Sequence, residues 1–338
     1  YGDHRDLHYP LRRQRQMCIR DRYKISKKNT YTIAKGKAQN SSHEHLIKSY
    51  NHFVRTLIIG CGYTGETLGE RLVSMGHEVS GIKRDKENNG SLVKKGIKPI
   101  NIDVTKASEM KIIPINYDNV IIAVSSSRGG LEAYKNIFGI GIENISNWLS
   151  AFTTKAVVFI SSTSVYRETK AEWVNEKIKN APNNLTSKTL LKAEQLVANI
   201  NNPVTILRSS GIYGPQRGYL FNQYMKGIAK IDGKGDRYIN MVHRNDLVEA
   251  IIKSLPNPGG TYNITDNEPV TQFDFFKWLS SITGQAMPPN TPPIDPSTRK
   301  RGITNKRVSN KLVKDTFEFN YKYPTFREGL MEELNKRN

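Results

Sequence analysis

Only two cysteines, Cys18 and Cys61, occur in 338 residues. Two thiols so placed make no disulfide framework, which excludes the small cystine-stapled secreted folds and fits a reducing cytoplasm. No apolar run approaches the roughly 18 residues needed to cross a bilayer. No apolar stretch follows the basic residues near the start, as a secretory signal would require. The expectation is a cytoplasmic protein with no membrane partner. Zinc-finger spacing, an RNP signature and a basic zipper are also missing. Their absence matters because a net charge of +20 would otherwise invite a nucleic-acid partner. Residues 1–53 hold 12 Lys/Arg against 4 Asp/Glu, a net of +8, and the other 285 residues carry +12 with the two signs mostly interspersed. That pattern reads as a solvated basic surface, so no nucleic-acid partner is expected. No metal site is suggested either, since five of the seven histidines (His4, His8, His43, His45, His52) lie in the first 53 residues.

Those first 53 residues stand apart. "RRQRQMCIRDR", residues 12–22, matches the translation of a transposase adapter used in making DNA sequencing libraries, and reads as non-native rather than as a basic arm. Residues 23–53 are polar and lack clear periodicity, so they read as translated upstream DNA or a disordered leader. The expected natural start is near Val54.

What is present begins at once after that point. "VRTLIIGCGYTGETLGERLVSMGHEVSGIKR", residues 54–84, holds an apolar run, the loop Gly60-x-Gly62-x-x-Gly65, a helix with apolar Leu68, Leu72 and Met75, a capping Gly76, and a second strand. A lone glycine motif is a weak signal, but strand, glycine loop, helix and strand within about 30 residues form a strong one. The glycines permit a tight turn, close approach to a pyrophosphate and close helix–strand packing, and the helix N-terminus offers N–H groups to phosphate. Gly60, Gly62, Tyr63, Thr64 and Gly65 are the expected cofactor contacts, with Cys61 a small packing residue. The second strand ends in Lys83 and Arg84, where an NAD site usually carries an acid. Basic residues there favour a 2′-phosphate, so NADP is slightly favoured over NAD, although Asp85 lies close by.

Strand-like runs follow at 97–103, 119–127, 156–162 and 203–215, with helical segments at 131–151 and 186–200. This alternation predicts an α/β fold: a Rossmann doubly wound parallel sheet whose ligands lie beyond the carboxyl ends of the strands. The expected Rossmann domain comprises 54–210 and 236–262. A smaller C-terminal α/β part, 211–235 and 263–338, would form the substrate wall. In that part 272–282 reads as an amphipathic helix with Phe273, Phe276 and Leu279 inward, and 287–297 as a Pro-rich surface loop.

Together "GCGYTG", "FISSTSVYRE", "LRSSGIYGP", "MVHRNDLVEAI" and "YNITDNEP" resemble the extended short-chain dehydrogenase/reductase superfamily, the NAD-dependent epimerases and dehydratases, over residues 54–336. The combination of Trp173, Val174 and Glu176, the helix Leu190 to Glu194, and Lys306 to Asn310 followed by Tyr323-Pro324 resembles its YeeZ-like atypical subgroup. The resemblance implies that Asp103 contacts the adenine and that Ser125 and Ser126 line the nucleotide cleft. It implies that Ser162 is the active-site serine, and that Arg208, Gly211 and Tyr213 lie near nicotinamide and substrate. Asp246 reads as a helix cap with His243 packed beneath it. A small-molecule substrate is implied, and a helix-mediated homodimer is common among such proteins.

One departure is decisive for function. The superfamily's chemistry uses a tyrosine whose phenol is activated by a lysine four residues on. Aligned on Glu194, those positions hold Thr186 and Leu190, and no tyrosine occurs between Tyr166 and Tyr213. Thr186 reads as a helix N-cap, and Leu190 supplies no charge. Three readings stay open. An oxidoreductase or isomerase could use a catalyst outside the motif, drawn from Tyr166, Tyr213, Glu176 and Lys188 with Ser162 retained. A noncatalytic NADP-binding sensor or scaffold is the second, and a basic nucleic-acid binder the third. Arg167, where a glycine commonly follows "VY", would narrow the cleft or meet an anionic substrate.

Overall fold

The apolar run after Val54 forms strand β1 (Arg55–Ile59), and the sheet grows from it in both directions. The computed structural model describes residues 54–126, 129–179, 181–182, 184–293 and 304–337, which fall in the unit Phe53–Asn338. The readings made for residues 1–53 and for 294–297 lie outside the described residues. The other strands are β2 (Glu78–Lys83), β3 (Lys98–Asn101), β4 (Asn119–Ile122), β5 (Ala156–Ser162), β6 (Val204–Ser209) and β7 (Thr261–Ile264). Their spatial order is β7-β6-β5-β4-β1-β2-β3, and every neighbouring pair is parallel.

Side chains alternate across a strand, and here both faces are covered. Leu57, Ile59, Val120, Ile122 and Phe159 enter one core, which includes the inward face of the helix Leu185–Ala198. Ile58, Ile121 and Val158 enter the other, under the helices Tyr63–Ser74 and Arg244–Ser254. Continuous apolar runs in the sequence are thus the mark of a sheet buried on both sides. Chain order reverses between β1 and β4, and the strands' carboxyl ends part there to leave a crevice. A third cluster, with Tyr213, Phe221, Phe275, Phe276, Phe326 and Leu330, packs the C-terminal part.

Several local expectations need correction. The run 203–215 is not one strand: β6 stops at Ser209, and Gly211–Tyr213 leaves the sheet to pair with Met241–His243. The segment 131–151 is a helix, a six-residue π-helical stretch at Asn136–Gly141, and a second helix. Met75 is exposed rather than inward. In Gln272–Thr283 the buried set is Gln272, Phe275, Phe276 and Leu279, spaced i, i+3, i+4, i+7, which turns Phe273 outward. The cap of Leu185–Ala198 is Asn184, whose Oδ1 accepts from the Ser187 N–H at 2.9 Å, while Thr186 donates to that same oxygen at 2.8 Å. His243 and Asp246 exchange roles. His243 Nδ1 caps its helix by accepting from the Asn245 N–H, while the Asp246 carboxylate accepts the N–H groups of Lys322 and Tyr323 at 2.8 and 3.0 Å and so ties down the C-terminal segment.

Candidate functional site

Strand ends and the loops after them build one cleft of about 570 Å³. At its centre the three glycines do different work. Gly60 has φ +92°, and a Cβ there would stand 2.6 Å from the Ala123 carbonyl oxygen, so the loops after β1 and β4 touch through backbone. A Cβ on Gly65 would stand 2.9 Å from the Gly60 carbonyl oxygen and 3.0 Å from Ile58 Cγ2, so the helix lies tight on the strand. At Gly62, by contrast, a Cβ would meet nothing within 4 Å. The middle glycine faces open space at the start of Tyr63–Ser74, whose first turn has no side-chain cap. An unobstructed backbone beside uncapped N–H groups is the cradle a diphosphate requires. Cys61 is fully buried and packs toward Gly81; burial pushes its thiol up to about 12, so it stays a neutral packing group.

Lys83, Arg84, Asp85 and Asp103 line one end. Lys83 Nζ lies 3.6 Å from Glu66, a carboxylate that Lys95 also approaches at 3.2 Å. Arg84 is exposed and makes a long contact of 3.5 Å to Asp85. Asn101 Nδ2 donates to the carbonyls of Lys83 and Asp85 and fixes the turn after β2. Burial alone would raise the Asp103 carboxyl, but two hydrogen bonds from Thr105 and the charge of Arg84 bring it below the usual carboxylate range. Ser125 and Ser126, beyond β4, line the middle of the cleft.

At the far end Ser161 and Ser162 close β5, Ser164 lies just beyond it, and Thr186 and Leu190 face the same space. The helix positions where a phenol and an ammonium were expected are therefore at the cleft, but carry an alkanol and a hydrocarbon. Ser162 Oγ accepts from the Ser164 N–H at 3.1 Å. Ser161 donates to Glu194 at 2.5 Å.

Six candidates from the sequence, Arg208, Tyr166, Tyr213, Glu176, Lys188 and Arg167, do not line this cleft. Arg208 is buried and forms an ion pair with Glu194, donating through Nε at 3.0 Å and Nη2 at 2.7 Å. Its Nη1 donates to the Tyr166 hydroxyl, which donates in turn to Asn263 Oδ1 at 2.8 Å. Tyr166 is thus a buried strut whose phenol burial raises. Tyr213 is buried as well; its hydroxyl donates to the Thr325 carbonyl, burial pushes its phenol far up, and its ring meets His243 edge-on. Glu176 accepts from the Asn263 N–H at 2.7 Å, and Lys188 and Arg167 are exposed outside the cleft. None of these groups lines the cleft.

Sequence reasoning missed Tyr134, Ser164 and Arg217, which do line the cleft. Tyr134 meets Phe138 one turn away with the rings tilted at 34°, and that i, i+4 spacing reads as an ordinary core stripe. Arg217 follows a Gly-Pro turn, a signal visible in the sequence but silent about direction. The Lys306 to Asn310 motif proves to be a staple: Lys306–Val308 pairs with Glu172–Val174, buried Lys306 donates to the Tyr166 carbonyl at 2.9 Å, and Asn310 donates to the carbonyls of Thr265 and Asp266. Burial lowers the Lys306 ammonium to about 8.

The family model described as the NAD dependent epimerase/dehydratase family matches residues 56–265. No curated protein matches the chain by sequence. Among solved structures, a protein from Methylobacillus flagellatus provisionally assigned as an NAD-dependent epimerase/dehydratase is 27% identical, with a TM-score of 0.68 over 84% of this chain and 99% of that one. A functionally unknown conserved protein from Silicibacter pomeroyi is 26% identical, with a TM-score of 0.67 over 82% and 96%. UDP-glucuronic acid 4-epimerase from Bacillus cereus, in complex with UDP-glucuronic acid and NAD, is 17% identical with a TM-score of 0.68 over 82% and 96%, a likeness of fold.

Proposed function

The chain belongs to the NAD dependent epimerase/dehydratase family, and from that premise we propose that it binds a nicotinamide dinucleotide along the cleft and acts as an oxidoreductase or isomerase on a sugar-nucleotide-like or small carbonyl substrate. The observation that carries the proposal is the open space at Gly62, beside an uncapped helix start and between two glycines that cannot carry a side chain. The Bacillus cereus epimerase, of like fold, holds UDP-glucuronic acid and NAD, which supports a sugar nucleotide as the second ligand. A bound dinucleotide supplies reversible hydride transfer. The chain's own groups do the rest. Loop N–H groups at Tyr63 and Thr64 hold the diphosphate, while the Gly62 N–H is spent on the Gly60 carbonyl at 2.8 Å; Asp103 meets the adenosine half, and Ser162 and Thr186 offer hydroxyls at the far end. Of the two cations at the end of β2, Lys83 is engaged by Glu66, so Arg84 alone is left to meet a 2′-phosphate. NADP is accordingly favoured over NAD through one residue.

For the proton we assign Tyr134. Among the described residues only Tyr63 and Tyr134 bring phenols to the cleft, and Tyr63 belongs to the glycine loop. The helix carrying Tyr134 packs against the one carrying Thr186 and Leu190. A phenol there, without a lysine beside it, works as a hydrogen-bonding acid at neutral pH. The second reading, a noncatalytic NADP-binding sensor or scaffold, is favoured by Leu190, a hydrocarbon where the activating cation would stand.

The test is a calorimetric titration with NADPH and NADH. Reduced-nicotinamide absorbance is then followed with carbonyl compounds, and interconversion of UDP-sugars by NMR. Turnover that drops about a hundredfold in Tyr134→Phe, with binding retained, bears out the enzyme. Binding without either reaction is the sensor's outcome, and absence of binding overturns both.

A further inference from the structure

We propose that Arg217 is a diphosphate-binding residue, reaching from the turn after Gly211–Tyr213 to the glycine loop and gripping the phosphates of the bound dinucleotide. The inference rests on the reading of the cleft given above and adds a cation that the glycine motif does not contain. Among the described residues three cations line the cleft: Lys83, Arg84 and Arg217. Lys83 pairs with Glu66 and Arg84 with Asp85, whereas Arg217 has no carboxylate partner among the described residues. Its guanidinium carbon lies 4.9 Å from the centroid of the Tyr63 ring, and Tyr63 directly follows Gly62. The cation therefore lies over a side chain of the glycine loop and lines the same cleft as Gly62, the glycine of that loop that faces open space.

Backbone geometry holds it there. Gly214 and Arg217 exchange both N–H···O bonds at 2.9 Å, closing a tight turn, and Gln216 within it takes φ +62°. A Cβ on Gly214 would stand 3.1 Å from the Tyr63 hydroxyl and 3.0 Å from His243 Nε2, so the turn rests directly on these two side chains. A guanidinium stacked on an aromatic ring spends only its face; its N–H donors lie in the plane and stay available at the edge. Two phosphates present oxygens at the spacing such a fork bridges. Arg244 lies 4.6 Å from the same ring but does not line the cleft, so it adds positive potential without reaching a ligand.

A sugar nucleotide also carries a diphosphate, and the position beside Tyr63 assigns Arg217 to the dinucleotide. Wild type, Arg217→Ala and Arg217→Lys are titrated with NADH, and UDP-glucuronic acid is then titrated onto each protein saturated with NADH. Arg217→Ala is expected to bind NADH about ten- to a hundredfold more weakly. Arg217→Lys should recover only part of that loss, because a point charge cannot make the forked contact. The thermal midpoint should not move, since Arg217 is exposed. Equal NADH affinity in wild type and Arg217→Ala overturns the proposal, as does a loss confined to UDP-glucuronic acid, which would hand Arg217 to the substrate's diphosphate. Failure of the wild type to bind either NADH or NADPH condemns the reading of the cleft itself, and is seen before any variant is compared; where the wild type binds NADPH alone, the same comparison is made with NADPH.

Discussion

The two ends of the cleft are built on opposite plans. At the glycine loop the ligand surface is backbone, and its shape comes from the absence of side chains at Gly60, Gly62 and Gly65. At the serine end the surface is side chain: hydroxyls of Ser162, Ser164 and Thr186, the aliphatic Leu190, and Tyr134 on the facing helix. A backbone site tolerates little change, because any Cβ at Gly60 collides with Ala123. A side-chain site can lose its chemistry while keeping its form, because threonine and leucine fill a helix about as well as tyrosine and lysine do. Thr186 and Leu190 sit on a regular helix at the cleft and supply it with only a hydroxyl and a hydrocarbon.

The contrast can be broken most severely from beneath the serine end. Ser161, Glu194, Arg208 and Tyr166 form a buried network there. Glu194→Ala would leave the Arg208 cation without its carboxylate in the interior, and should cost about 3–5 kcal/mol of stability by denaturant unfolding. A small loss would mean that water or another group compensates, and that the serine end is less rigid than its bonds imply. The glycine loop offers a sharper pair. Gly60→Val combines a positive φ with a clash against backbone and should destabilise the fold by about 2–4 kcal/mol. Gly62→Trp should leave the thermal midpoint nearly unchanged, since φ there is −101° and the space is open, yet weaken NADH binding by about a hundredfold or more by occupying the diphosphate's place. If both variants behaved alike, the division between a structural and a ligand-facing glycine would be wrong. The smallest effect is expected at the adenosine end. Arg84→Ala should erase the preference for NADPH over NADH, a change of about tenfold in the ratio of the two dissociation constants. A ratio that stays the same would move recognition of the 2′-phosphate to another residue.

How much was legible follows the same division. The parallel sheet was readable because strands buried on both faces must be apolar throughout, and β1, β4 and β5 are. The glycine loop was readable because its spacing is a covalent property of the chain. That positions 186 and 190 carry a threonine and a leucine, neither a phenol nor an ammonium, is read directly from the chain. What went astray were directions of side chains. Tyr166 and Arg208 sit next to cleft-forming strands and were credited to the cleft, but Arg208 turns into the interior to meet Glu194, and Tyr166 turns with it to meet Asn263. In the other direction, Tyr134 has the spacing of a core residue, and Arg217 the look of a surface loop.

The sequence by itself thus determined the sheet, the position of the crevice and the glycine loop, because each of these depends on neighbours close along the chain. Only tertiary structure decided which charges are spent on one another and which face a ligand. Glu194 and Arg208 are 14 residues apart, and Lys83 and Glu66 are 17 apart, whereas Arg217 comes to Tyr63 across 154 residues of chain. An ion pair forms wherever folding brings opposite charges together and removes water, and no local pattern records that meeting.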